Sequence, residues 1–398
     1  MSLQFITGGS GAGRSEYLSR LVCEESVRRP HDNFIVVVPE QYTMETQKKL
    51  VHMHSRKGIL NIDVVSFERL AYKVFEELGG GNRPVLDDTG KNLIVRRVLE
   101  KEKKKLDYFG SSIEKTGFVS ELKSVISELL QYGITPQQLG EIGENVKEKQ
   151  QLSAKLKDIR LVYEEFMAFL STNYITSEEI LDVLCGLVEK SKLIAGSEII
   201  FDGFTGFTPI QYKLMRLLLV YSKGIKISVT IDKKERPTGH EGWNNLFFMS
   251  KEMMNRLIAI CEEEGINVDD TVCVDRDINY RYEGAKDLAY LERNLFRYKG
   301  GVYTGTPENI RIYEGSNPKE ELQYIVSEIL QLTRKEGFRY RDIAVVTADL
   351  ETYGKVAANM MKQNDIPAFL DYKRSVASNP LCGNALQCLG DCRKRISV

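Results

Sequence analysis

The sequence predicts an α/β protein built on a parallel sheet, interrupted by a helical insertion and followed by the start of a second α/β domain. Three observations carry this expectation. Apolar runs alternate with helical periods through the first third of the chain, as in a sheet covered by helices. The first run leads into a glycine loop, Gly8-Gly9-Ser10-Gly11-Ala12-Gly13-Arg14-Ser15, and then a helix. The strand pattern stops near residue 85 and resumes at Glu198.

Each element has a local reason. Leu3 to Thr7 reads as a strand, with a helix from about Glu16 after the loop. Phe34 to Val38 is a continuous apolar run rich in β-branched residues, expected of a strand buried on both faces, and Pro39 ends it. Asp63 to Ser66 is a third short strand, with a helix through Leu70 and Phe75. Gly79-Gly80-Gly81-Asn82-Arg83-Pro84 breaks the pattern and reads as a hinge. From Asp87 to about Ser191 the chain reads as helical, with apolar faces around Leu93, Phe118, Leu129, Leu156 and Phe166. Thr176 with Glu179 makes a capping box there.

Glu198 to Phe201 and Lys226 to Ile231 are the resumed strands. The helix between them opens at Thr208-Pro209, a favoured cap and first-turn pair. A polar helical stretch containing Trp243 follows. Arg297 to Pro318, rich in glycine, threonine and proline, reads as a linker holding one strand, Ile310 to Tyr313. Asn317-Pro318 starts a new helix with Glu320 and Glu321 in its first turn, where the helix dipole favours acids. Asp342 to Thr347 is a further strand. The expected organisation is residues 1–300 as one domain with the insertion at about 85–191, then 301–398 as a partial second domain. No internal repeat or low-complexity segment is visible.

Composition narrows the class. A chain of 398 residues with 42% hydrophobic and 28% charged residues is ordinary for two or three globular domains. The formal net charge of -1 gives no global nucleic-acid signal and leaves a local basic surface open. The seven cysteines form no CxxC pair, and Cys382, Cys388 and Cys392 lack the spacing of a zinc ribbon. Reduced thiols in the cytoplasm are expected. No signal peptide or membrane span is visible, so no membrane association is expected. His31, His52, His54 and His240 form no catalytic or metal cluster.

The glycine loop carries the strongest chemistry. Residues 8–15 match the P-loop pattern except that Arg14 replaces lysine. In such a loop, glycines let backbone N–H groups wrap phosphate oxygens, and the following helix adds its unpaired amides and dipole. All eight residues are therefore candidate nucleotide ligands, with Ser15 a candidate Mg²⁺ ligand. Arg14 keeps the charge but is planar and bulkier than lysine. The competing reading is a strand-to-helix turn without a ligand. Ile199-Ile200-Phe201-Asp202 has the form of a Walker B strand, whose acid binds Mg²⁺. The position after it, where hydrolysis needs an acid to orient water, is Gly203. ATP and Mg²⁺ are the expected cofactors, and no catalytic residue is assigned.

Longer stretches narrow the family. Asp202 to Gln211 resembles the UvrD-type helicase pattern Asp-Glu-Phe-Gln-Asp-Thr-Asn-x-x-Gln, with Asp202, Phe204 and Gln211 in register. Val36 to Thr43 resembles the stretch after the second strand of AddB proteins. Val64 to Ala71 resembles the single-strand-contacting segment of UvrD-like helicases, and Glu320 to Val346 the entry into their second motor domain. By the order and spacing of these pieces, the chain resembles the N-terminal part of the AddB family, the B subunits of bacterial ATP-dependent helicase/deoxyribonucleases. That resemblance implies a P-loop (RecA-like) domain and a role in DNA double-strand-break repair and recombination. It also implies DNA and an A subunit as partners. The family's nuclease domain and iron–sulfur cysteines are expected outside this chain, so no nuclease activity is expected from it.

Pro39, Gln41, Ser66, Phe67 and Phe204 are the candidate DNA contacts. They follow strands, on the edge where α/β proteins place ligands, and the aromatics suit base stacking. For any one aromatic, core packing is the favoured alternative; Tyr42 and Phe207 are in the same position. Lys91, Arg96, Arg97, Lys101, Lys103, Lys104 and Lys105 form a basic stripe interleaved with Glu100 and Glu102, read as a solvated helix face rather than a phosphate track. The leading functional reading is a helicase-derived DNA-binding subunit with a degraded motor site. An active DNA-dependent ATPase and an unrelated P-loop nucleotide kinase are the alternatives.

Overall fold

The computed structural model describes residues 1–79, 84–115, 117–146, 149–176, 179–235, 239, 242–297, 301–370, 379–385 and 387–388. Two compact units are present, Met1–Thr304 and Gly305–Val398.

The first unit opens with β1 (Ser2–Gly8), α1 (Arg14–Arg28), β2 (Asn33–Val37), α2 (Thr43–Met53), β3 (Ile62–Val65) and α3 (Phe67–Leu78). β4 (Val85–Leu86), α4 (Asp88–Glu102), α5 (Phe118–Gln131), α6 (Pro136–Asn145), α7 (Gln150–Asn173) and β5 (Ile175–Thr176) follow. The chain continues through α8 (Ile180–Cys185), α9 (Lys192–Ala195), β6 (Ser197–Phe201), α10 (Pro209–Tyr221) and β7 (Gly224–Thr230). α11 (Phe248–Glu264), β8 (Asn267–Val268), β9 (Val272–Cys273) and α12 (Lys286–Asn294) complete it.

The central sheet runs β3-β2-β6-β7-β1-β8, with β9 also on β1, and every pairing is parallel. Strand residues alternate between two apolar layers, as the two-residue period requires. Phe5, Ile35, Val37, Ile199 and Phe201 join the layer under α3, α8, α10 and α11. Ile6, Phe34, Val36 and Ile200 join the layer under α1 and α2. Burial on both faces explains why these strands read as continuous apolar runs. The Glu198 strand thus shares a sheet with the Leu3 strand, as expected. Register pairs Gly8 with Thr230, Phe201 with Ile227, Val37 with Phe201 and Val37 with Val65, so the carboxyl ends gather at one edge.

Among the described residues between α3 and α8, the regular elements are helices apart from β4 and β5, which pair with each other. Helices α4, α5, α6 and α7 bury their own core around Val95, Leu99, Ile126, Val162 and Phe166. Asp158, almost fully buried, fixes the turn after α4 by accepting the amides of Asp107, Tyr108 and Phe109. Thr176 and Glu179 cap each other as expected: the Thr176 amide donates to Glu179 Oε2 at 2.9 Å, and the Glu179 amide to Thr176 Oγ1 at 3.3 Å. The separate core ends near residue 174, earlier than the expected 191. Ile180, Leu184 and Val188 pack under the sheet instead, because their apolar faces meet α3 and α10. The expected hinge falls mostly on residues 80–83, outside the described residues. Trp243 lies in an exposed turn rather than a helix.

The second unit holds α13 (Pro318–Lys335) and α14 (Leu350–Gln363), packed through Leu322, Val326, Ile329, Met360 and Met361. Asn317 caps α13 by accepting the Glu320 amide at 3.0 Å. The strands expected at 310–313 and 342–347 do not form among the described residues. A strand is held by ladder hydrogen bonds to a neighbour, and neither segment has one. Cys23, Cys185 and Cys261 are buried free thiols; burial pushes those of Cys185 and Cys261 up to about 11, the mark of structural rather than reactive cysteines. Among the described residues, no helix is long and apolar enough to cross a membrane.

Candidate functional site

Strand β1 ends at Gly8, whose carbonyl accepts the Ile231 amide at 3.1 Å. The loop then turns through Gly11 (φ 72) and Gly13 (φ 93), left-handed conformations that suit glycine and penalise other L-residues. Ala12 is buried beneath the turn, and α1 starts at Arg14. Among the described residues, no protein acceptor meets the amides of Gly11, Gly13, Arg14 and Ser15. They stand at the positive end of a 15-residue helix. Ser15 is exposed; its carbonyl accepts Ser19 Oγ at 2.6 Å.

The charged side chains come from three strand ends. Arg14 Nη1 donates to Thr230 Oγ1 at 2.6 Å. Burial pulls the Arg14 guanidinium below its ordinary value, while the charges of Asp202 and Asp275 act the other way. Asp202 directly follows β6; its amide donates to Val37 O at 3.1 Å, and its Oδ1 accepts Ser228 Oγ. β7 separates β1 from β6, so the loop and the acid stand two strand spacings apart, roughly 9.6 Å. Ser228 and Thr230, two apart on β7, share one face of the sheet. One holds Asp202 and the other holds Arg14.

Gly203 follows with φ 83, and a Cβ there would lie 3.4 Å from Pro39 Cδ. No carboxylate stands at this position.

The other side of the loop is covered by a segment that sequence reasoning missed. Asp275 Oδ1 accepts the Gly9 amide at 2.7 Å, and its Oδ2 accepts the Lys233 amide at 2.8 Å. Asn279 Nδ2 donates to Ser10 O at 3.3 Å, the Arg281 amide to Gly11 O at 3.3 Å, and Tyr282 OH to Ser10 Oγ at 3.4 Å. The Tyr280 ring edge lies against Gly13, with the Arg276 guanidinium 3.5 Å from the ring centroid. Glu292 reaches the Gly9 side of the loop, and its carboxyl is pushed up by burial and then by the charges of Asp232 and Asp275. No short-range signal marks Asp275, because its partner Gly9 is 266 positions away. A cavity of about 540 Å³ opens beside Ser10, Thr205 and Thr230, walled by Phe247, Leu291 and Phe296.

The five candidate DNA contacts all lie along this edge, with different exposure. Gln41 is exposed and Pro39 half-buried. Ser66 is buried and caps α3 by accepting the Arg69 amide at 3.4 Å. Phe67 is buried in an aromatic cluster, with ring centroids 5.8 Å from Phe201 and 5.3 Å from half-buried Phe204; Phe204 lies 5.4 Å from Phe207. Tyr42 remains exposed. Gln211 is used locally, its Oε1 accepting the Thr208 amide at 2.9 Å.

Most of the basic stripe is paired internally. Lys101 binds Glu165, Lys103 binds Glu114, Lys105 binds Glu102 and Arg96 binds Glu100. Arg97 lies over the Phe169 ring, and Lys91 is buried beside Asp88. Among the described residues, no group of three or more His, Cys, Asp or Glu side chains is arranged to hold a metal.

Known proteins are similar to this sequence along nearly its whole length. Residues 5–292 match the family described as "ADDB, N-terminal". Proteins named as the B subunit of an ATP-dependent helicase/deoxyribonuclease are similar to it. One from Lachnoclostridium phytofermentans is 41% identical over 96% of this chain and 33% of its own length. One from Caldanaerobacter subterraneus subsp. tengcongensis is 35% identical over 96% and 32%. One from Clostridioides difficile is 34% identical over 96% and 33%. The chain spans about a third of the length of these curated relatives.

Proposed function

This chain belongs to the AddB N-terminal family, and from that premise we propose that it is the helicase-like portion of the B subunit of an ATP-dependent helicase/deoxyribonuclease, acting in DNA double-strand-break repair and recombination. On this reading the first unit descends from a P-loop (RecA-like) motor domain, and the helical stretch between α3 and α8 is an insertion in it. Its nucleotide site retains phosphate binding and has lost efficient hydrolysis. DNA and an A subunit are its partners, and the cytoplasm is its compartment.

One observation carries the reading. The loop amides from Gly11 to Ser15 and the Asp202 carboxylate flank the end of β7, while the position after the acid is a glycine in a left-handed turn. The donor set suits Mg-nucleotide. Open amides at a helix start suit phosphate oxygens; the Ser15 hydroxyl and Asp202 would hold Mg²⁺. Bound Mg²⁺ would neutralise phosphate charge. Cradling phosphate and positioning the attacking water are separable contributions, and only the second needs an acid beside Asp202. For DNA, exposed Gln41 and Tyr42 are the accessible candidates on this edge, whereas Ser66 and Phe67 support the fold beneath them.

Two measurements on the chain test this. Titration calorimetry with Mg-nucleotide should show binding that Ser15→Ala weakens by about tenfold or more, the loss of a ligand to a charged group. Steady-state ATP hydrolysis with single-stranded DNA should show no robust turnover. Robust turnover abolished by Ser15→Ala would establish an active motor and sink the degraded-site reading.

A further inference from the structure

We infer that the glycine loop selects a nucleoside diphosphate over the triphosphate, with Asp275 as the residue that sets the choice. This deepens the nucleotide-binding reading above and rests on it. The loop is unequal along its length. At its helix end, the amides of Gly11, Gly13, Arg14 and Ser15 are open, enough donors for two phosphate groups. At its strand end, the Gly9 amide is already bonded to a carboxylate, Asp275 Oδ1 at 2.7 Å. In a P-loop the amides take the inner phosphates, and the charged residue at position 14 here reaches toward the terminal one. A third phosphate would therefore extend toward the Arg14 guanidinium and the strand end.

At that end two carboxylates stand nearest Gly9, in a pocket that Lys233, Lys234, Arg276 and Arg293 also line. A Cβ on Gly9 would stand 3.3 Å from both Asp275 Oδ1 and Glu292 Oε1. Asp232 is neutralised by Arg297 at 3.0 Å, but neither Asp275 nor Glu292 has an ion-pair partner among the described residues. Arg14 is bonded to Thr230 and already counters Asp202 and Asp275. Asp275 is held firmly: β9 pairs with β1 at Ile6↔Val272 and Thr7↔Cys273, the Val274 amide donates to Thr7 O at 2.9 Å, and the Lys233 amide grips Asp275 Oδ2. A rigid carboxylate beside an added anionic group repels it, strongly where burial reduces screening. Mg²⁺ held by Ser15 and Asp202 would offset the charge of either nucleotide alike, so the difference between the two would rest on the carboxylates nearest Gly9.

The test is a calorimetric titration of the full chain with Mg-ADP and with a Mg-bound non-hydrolysable ATP analogue. The parent should bind the diphosphate about tenfold tighter. Asp275→Asn keeps an acceptor for the Gly9 amide and removes the charge; it should narrow the ratio about threefold or more, mainly by tightening the triphosphate. Glu292→Gln, which bonds no loop amide, should narrow it in the same direction even if Asp275→Asn disturbs the loop. Equal affinities in the parent, or a tighter triphosphate, would overturn the inference and leave nucleotide binding standing. So would a ratio unmoved by both substitutions. Binding of neither nucleotide to any of the three proteins would overturn both.

Discussion

Gly203 illustrates how one residue joins backbone geometry to chemistry. Its φ of 83 and the nearness of Pro39 mean that a side chain here meets both torsional strain and a neighbour. Gly203→Ala should therefore lower stability by about 1–2 kcal/mol, read as a drop in thermal midpoint. Gly203→Glu, which returns an acid beside Asp202, should show the same drop in stability, and combined with Arg14→Lys it should give a clear gain in ATPase rate. No gain in a double variant that stays folded and binds nucleotide would count against a missing acid as the cause of lost hydrolysis. At the opposite end of the sheet, Glu198 is buried between Arg29 and Lys226. Burial alone would push its carboxyl up, but hydrogen bonds and charge from Lys226 and Arg29 outweigh it and hold the carboxyl below its ordinary value of 4.5. A depressed folded-state value gives stability that is fully present above the unfolded value and lost as pH falls through the folded one. Acid unfolding should steepen below about pH 4.5, and Glu198→Gln should flatten that limb while reducing stability at neutral pH.

At the scale of elements, local caps decide what the edge residues are free to do. Helix α3 begins with Ser66 accepting the Arg69 amide, and its first residue, Phe67, is buried against Phe201. The serine is a candidate DNA contact because it follows a strand, but its hydroxyl is occupied within the fold. Ser66→Ala should cost about 1 kcal/mol of stability. If capping is its main work, affinity for single-stranded DNA should hold at temperatures where the variant is folded. A clear loss of affinity in that range would restore a direct role. Helices α4 to α7 need no such support from the sheet, because they bury a core of their own. Apart from buried Lys91, their basic residues are largely engaged with nearby acids, as interleaved charges suggested, and read as a solvated face.

For the molecule as a whole, the division at Thr304 and Gly305 follows a stretch rich in glycine and threonine. Loops of that composition are preferred sites of nicking. Limited proteolysis should cut first between residues 301 and 316 and leave a folded fragment corresponding to the first unit, with cooperative melting as the check. Early cleavage inside the α4 to α7 stretch instead would argue against a core that holds independently there. The segments 310–313 and 342–347 read as strands from their residues yet remain unpaired among the described residues. Strand propensity describes a side chain's fit to a pleated surface and supplies no neighbouring strand.

The features legible in the chain before folding are those written in neighbouring residues. They are the runs that become β1, β2, β3, β6 and β7, the glycine loop between strand and helix, the Thr176–Glu179 and Asn317 caps, and the ordered motifs that match one family. Their signals come from periodicity, glycine sterics and capping bonds, all acting within a few residues. Which strands adjoin, and where each charged group turns, was settled in three dimensions. Folding placed β7 between the loop and the acid strand, bonded Arg14 to Thr230, sank Phe67 into an aromatic cluster and set Asp275 on Gly9. The physical reason is range. A hydrogen bond between residues 9 and 275 exists because the sheet brings β9 beside β1, and no local preference of either residue encodes that neighbour.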